Sequence, residues 1–140
     1  MGAQGLLHFD AHFRNLLTDG QRIYFTDFGL AMHAGFAFDA AESDFFRRHS
    51  SYDRCHTVTH LARWLVTHVR GIPWADGHRY LRDLAAGRGD SGLPESVARV
   101  IARHLPVAVV QGDFYEGLMS RGKTTPYPAQ ELGRVLAGAQ

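Results

Sequence analysis

At 140 residues and 45% hydrophobic content, the chain can bury a real core, because a domain of this size hides about two-thirds of the surface its unfolded chain exposes. Its formal net charge is +1 with histidines neutral, and no apolar run is long enough for a bilayer, so neither a nucleic-acid partner nor a membrane partner is expected. The single cysteine, Cys55, excludes an intrachain disulfide and a thiolate-rich zinc site and suits a reducing cytoplasm.

The first seven residues lack the charged and apolar regions of a secretory signal, and Leu6 stands where a myristoylation signal has Ser or Thr. The run His8-Phe9-Asp10-Ala11-His12-Phe13-Arg14-Asn15 follows at once. Transfer of a phosphoryl group needs a carboxylate to orient or deprotonate the attacking hydroxyl, and oxygen ligands that hold magnesium against the phosphates. Asp10 suits the first task, and Asn15 with Asp27 the second.

Asn15-Leu16-Leu17-Thr18 and Arg22-Ile23-Tyr24-Phe25-Thr26 read as two short strands, with Asp19-Gly20 as the turn because glycine tolerates positive φ. The hairpin returns Asp27, at the head of Asp27-Phe28-Gly29, to the neighbourhood of Asn15. From Ala31 to Tyr52 the chain reads as turning helical, with Phe36, Phe38, Phe45 and Phe46 packed and Arg47, Arg48 and His49 forming a small basic rim on a solvated face.

Val58, Leu61, Leu65 and Val69 keep a helical period from His56 to Val69, and Gly71-Ile72-Pro73 stops it. His56 and His60 share a face at a spacing zinc sites use, but no third ligand follows in a known arrangement. A helix over Trp74 to Ala86 precedes the polar loop 87–92. Leu93-Pro94-Glu95 opens another, with Val97, Val100, Ile101 and Leu105 inward. Pro106 is expected to start a separate helix through Val107, Val110, Phe114, Leu118 and Met119. A short last helix runs over Ala129 to Leu136, with a small-residue end expected to fray. The expected fold class is mainly α with a short β-hairpin, one domain over residues 1–140.

His-x-Asp-x-His-x-x-Asn followed by Asp-Phe-Gly resembles the catalytic and metal-binding loops of the protein-kinase-like superfamily. The His-x-Asp-x-His form is similar to aminoglycoside and choline phosphotransferases, which tilts the acceptor toward a small molecule. Asp27-Phe28-Gly29-Leu30-Ala31 reads like a protein kinase and tilts it back toward a protein. The resemblance implies a kinase-like C-terminal lobe, with the catalytic loop at 8–15, the metal loop at 27–29 and a helical remainder over 53–140. It implies Asp10 as catalytic base, His8 as a brace of the loop, His12 beside the base or the phosphates, and Asn15 and Asp27 as ligands of Mg2+ carrying ATP. Residues 31–52 become the activation-segment equivalent.

Seven residues before His8 leave no room for the glycine-rich loop, strand lysine and helix glutamate that grip the nucleotide in that superfamily. The chain is therefore expected to be a truncated form, with self-association through the apolar surface that the other lobe would cover. Two other readings stand beside the phosphotransferase. One is a catalytically silent remnant acting as an interaction module. The other is a metal-dependent hydrolase with His8, Asp10 and His12 as ligands.

Overall fold

The computed structural model describes residues 2–89 and 92–138, so part of the polar loop after Gly87 and the extreme C-terminal end, where fraying is expected, lie outside the described residues. It is mainly helical, with two small two-stranded pairings, and its contacts separate into two units, residues 1–57 and 58–140.

In the first unit, β1 (Leu6–Leu7) pairs antiparallel with β4 (Met32–His33), Leu6 opposite His33 and Leu7 opposite Met32. Gly5, at φ +73, makes the approach possible: a Cβ there would lie 2.9 Å from the Cβ of Ala34, whose N–H donates to the Gly5 carbonyl at 2.8 Å. The expectation that residues after Ala31 turn helical is corrected here. A two-residue strand carries no periodicity, and its partner lies far back in the sequence.

The hairpin forms as the turn chemistry requires: β2 (Leu16–Thr18) pairs with β3 (Ile23–Phe25), Leu16 opposite Phe25. Asp19 Oδ1 accepts the N–H groups of Gln21 (2.9 Å) and Arg22 (2.7 Å), and Oδ2 accepts the Tyr24 hydroxyl at 2.8 Å. These donors stabilise the charged carboxylate and hold its pKa below the ordinary aspartate value. α1 (Ala40–Arg48) starts in a reciprocal capping box, Glu42 N–H to Asp39 Oδ1 at 2.8 Å and Asp39 N–H to Glu42 Oε2 at 3.0 Å. Arg47 and Arg48 of the expected basic rim both pair with Asp44, at 2.7 and 2.6 Å. α2 (Tyr52–Arg70) begins in the first unit and continues into the second.

The second unit packs Ala62 and Val66 of α2, Leu81 of α3 (Gly77–Ala85), and Ile101 and Ala108 of α4 (Glu95–Arg121) into one core. Leu132 of α5 (Ala129–Gly138) is fully buried as well. Pro106 does not separate two helices. It sits inside the 27-residue α4, with Ile101 buried before it and Val107, Ala108 and Gln111 buried after it. A proline in a helix interior costs about 3 kcal/mol, and burying one continuous apolar face on both sides of it outweighs that cost. Among the described residues, no helix is long and apolar enough to cross a membrane.

Candidate functional site

The loop from His8 to Asn15 is held from both sides within the first unit. Before it, Asp53 in the first turn of α2 accepts the N–H groups of His8 (2.7 Å, Oδ2) and Phe9 (2.8 Å, Oδ1). One turn on, Thr57 Oγ1 donates to the Ala11 carbonyl at 3.0 Å. Residues 53 and 57 share one helical face, so a single stretch of α2 fixes the loop backbone on either side of Asp10.

His8 is fully buried and ties the loop to the far end of the hairpin. Its Nδ1 faces the Asp10 N–H at 3.3 Å and its Nε2 the Thr26 carbonyl at 2.9 Å. The Asp10 N–H donates to Nδ1 and the Thr26 carbonyl accepts from Nε2, which assigns the tautomer protonated at Nε2. Phe28 (4.9 Å between ring centroids) and Phe25 (5.9 Å) pack against the imidazole. With both nitrogens turned to backbone groups, His8 braces the loop and offers no atom to a metal or a substrate.

Asp10 is gripped at both carboxylate oxygens. Asn15 Nδ2 donates to its Oδ2 at 3.0 Å and to its carbonyl at 2.9 Å. His12 Nε2 lies 3.4 Å from its Oδ1. His12 Nδ1 accepts the Arg14 N–H at 3.2 Å as it caps the turn Phe13–Asn15, which leaves Nε2 on the side of Asp10. The Asp10 side chain keeps 37% of its surface open, enough for a hydroxyl to reach it.

The hairpin register puts Thr26 beside Asn15, with the Thr26 N–H on the Asn15 carbonyl at 3.0 Å, and Asp27 is the next residue. Asn15 is buried and Asp27 exposed. With Asn15 Nδ2 turned to Asp10, its Oδ1 faces away from that carboxylate. An amide oxygen and a carboxylate are the hard donors a magnesium ion takes. Phe9 (φ +64) and Asp27 (φ +58) are the two non-glycine residues at positive φ among the described residues, the first within this loop and the second just after the hairpin that follows it. Such backbone, sparsely populated by side-chain-bearing residues, clusters at functional sites.

Sequence reasoning did not single out Asp53, Thr57 or His56 for this site. His56 is buried, stacks on Tyr52 (5.7 Å, 13° between planes) and lies 6.5 Å from the His12 ring. Burial pushes its pKa down to about 4; the Asp10 charge opposes that shift, and His12 and His8 add to it. The only advance signal was the i, i+4 pattern of Tyr52 with His56 and Asp53 with Thr57.

A different cluster lies in the second unit, where ligand atoms of His78, Asp113 and Glu116 come within 4.8 Å of one another. Among the described residues no other His, Cys, Asp or Glu trio does so, including His8, Asp10 and His12. Arg82 already occupies this spot: its guanidinium pairs with Asp113 and, at 2.7 Å, with Glu116, taking the place a cation would need. His78 Nε2 meets Asp113 Oδ1 at 2.8 Å, and its ring lies where Gly112 has no side chain. Set against protein-family models, curated proteins and solved structures, the chain matches none.

Proposed function

We propose that this chain carries the catalytic half of a phosphotransferase site of the protein-kinase-like kind, moving the ATP γ-phosphate to a hydroxyl acceptor, most simply a small molecule. The observation that carries this reading is the Asp10 carboxylate, held at both oxygens by Asn15 and His12 on a loop clamped to α2, with Asp27 one residue past the hairpin. Asn15 and Asp27 would hold Mg2+, which supplies charge neutralisation at the phosphates. Asp10 accepts the hydrogen of the attacking hydroxyl at the open side of its carboxylate, and its two polar neighbours fix the direction from which that hydroxyl approaches. His12 Nε2, 3.4 Å from Oδ1, stands beside that carboxylate as a second polar neighbour.

The test is magnesium-nucleotide binding to the chain, measured calorimetrically and repeated with Asp27→Ala. Binding that Asp27→Ala weakens at least tenfold supports the reading. No binding refutes it. Where turnover is measurable, Asp10→Asn lowers kcat by roughly two to four orders of magnitude, the scale of a lost general base.

A second reading, an interaction module that assembles through this face, rests on a separate observation. Leu17, Ile23, Tyr24, Phe28 and Leu30 are large apolar residues left 45–66% exposed on the hairpin and the segment after it. Light scattering on the wild type and on Ile23→Glu tests it. An oligomer that the substitution disperses favours assembly, and a monomer in both excludes it.

A further inference from the structure

The stretch from Asp10 to His12 turns sharply. The His12 N–H comes back onto the Asp10 carbonyl at 2.8 Å, closing a three-residue turn with Ala11 at its apex. Asn15 Nδ2 joins the same carbonyl at 2.9 Å and reaches Asp10 Oδ2 at 3.0 Å, so one amide group spans the main chain and the carboxylate of a single residue. That span holds only while carbonyl and carboxylate keep their present separation. The main chain entering Asp10 is held by Asp53 at the His8 and Phe9 N–H groups, and the main chain leaving it is met at the Ala11 carbonyl by the Thr57 hydroxyl, at 3.0 Å. We propose that Thr57 is a positioning residue for the reaction: its hydroxyl pins the apex of the turn, and through it the carbonyl that Asn15 needs in order to aim the Asp10 carboxylate. This rests on the phosphotransferase reading for its chemical meaning, but not for its geometry.

A threonine inside a helix ordinarily turns its hydroxyl back to a carbonyl one turn earlier in its own helix. Thr57 instead donates across 46 positions of sequence, to a residue that is 1% exposed. Water does not readily reach a residue so buried, so an Ala11 carbonyl deprived of the hydroxyl would rotate toward another donor and carry the turn with it. The two holds on the loop differ in kind. Asp53 brings two carboxylate oxygens to two N–H groups, a strong pair that keeps the loop folded, whereas Thr57 brings one neutral bond, enough to choose a direction and too little to carry the fold. A hydroxyl is what the role requires, so serine can replace threonine and the isosteric valine cannot.

The experiment follows hydrogen exchange at the Asn15 side-chain amide by nuclear magnetic resonance in the full chain, with no need for turnover, and takes the His8 and Phe9 amides as the measure of loop folding. In Thr57→Val the Asn15 side-chain amide exchanges roughly tenfold faster or more while His8 and Phe9 keep their protection, and Thr57→Ser restores the wild-type rate. An unchanged Asn15 in Thr57→Val, or a Thr57→Ser protein that behaves like Thr57→Val, overturns the proposal. If Thr57→Val also loses protection at His8 and Phe9, Thr57→Ala replaces it under the same criteria; the same loss in both overturns the proposal, because the hydroxyl then carries the fold of the loop and not a direction. Where turnover is measurable, Thr57→Val lowers kcat roughly tenfold to a hundredfold with the acceptor KM unchanged, and Thr57→Ser restores it. An unchanged kcat in Thr57→Val also overturns the proposal. Failure of nucleotide binding removes the phosphotransferase reading and leaves the Asn15 result standing, so the two fail separately.

Discussion

Lowering the pH should destabilise the first unit through one identifiable side chain. His56 is 8% exposed, and burial pushes its pKa from 6.5 down to about 4. The unfolded chain therefore binds a proton that the folded unit refuses anywhere between those values. Because the folded pKa is the lower one, the stabilisation is complete above about pH 6.5, falls as pH drops, and is gone near pH 4. At 1.36 kcal/mol per pH unit, the gap of about two and a half units corresponds to about 3 kcal/mol, a large share of the stability of a unit this small. His49, whose pKa burial also lowers, adds in the same direction. The assay is amide exchange at His8 and Phe9, whose N–H groups are locked onto Asp53, followed from pH 7 to pH 4 in the wild type and in His56→Phe after correction for intrinsic exchange. The wild type should lose protection steeply and His56→Phe much less. Equal pH dependence in the two proteins, or a His56 ring that titrates near 6.5, would refute the reasoning.

Three other outcomes are expected. Asp53→Ala removes the acceptor of two backbone donors, and about 2–4 kcal/mol of first-unit stability should go with it, read by the same exchange experiment; an effect below about 0.5 kcal/mol would mean the clamp is not energetically real. Asp27→Gly should stabilise the first unit by about 1 kcal/mol, because glycine accepts φ +58 without the steric cost, while weakening magnesium-nucleotide binding; stability and binding falling together would contradict the strain assignment. Gly112→Ala places a methyl group against the buried His78 ring, and thermal unfolding of the second unit should report a loss of about 1–3 kcal/mol, with no change at Asp10.

The hairpin was legible because its cause is local: Asp19 and Gly20 build the turn from their own side chain and φ, and the register of Leu16 with Phe25 follows. Helical stripes were legible for the same reason, down to the stop at Gly71. The capacity of one motif to gather Asp10, His12 and Asn15 was also written in a stretch of eight residues. Pro106 misled because its local preference is to end a helix, and only packing on both sides of it keeps α4 continuous. The pairing of β1 with β4 left no trace, since two residues cannot display a period.

What tertiary structure alone decided is how the motif is held. Asp53 reaches His8 and Phe9 across 45 and 44 positions, and Thr57 reaches Ala11 across 46. Nothing in the spacing of an Asp, a Thr and a His on a helix says which loop they will meet, because that depends on where the chain returns. The sequence by itself determined which groups stand near Asp10 in the chain. Folding α2 against them fixed the loop backbone and buried His56, because hydrogen-bond geometry and desolvation exist only once distant segments exclude water from one another.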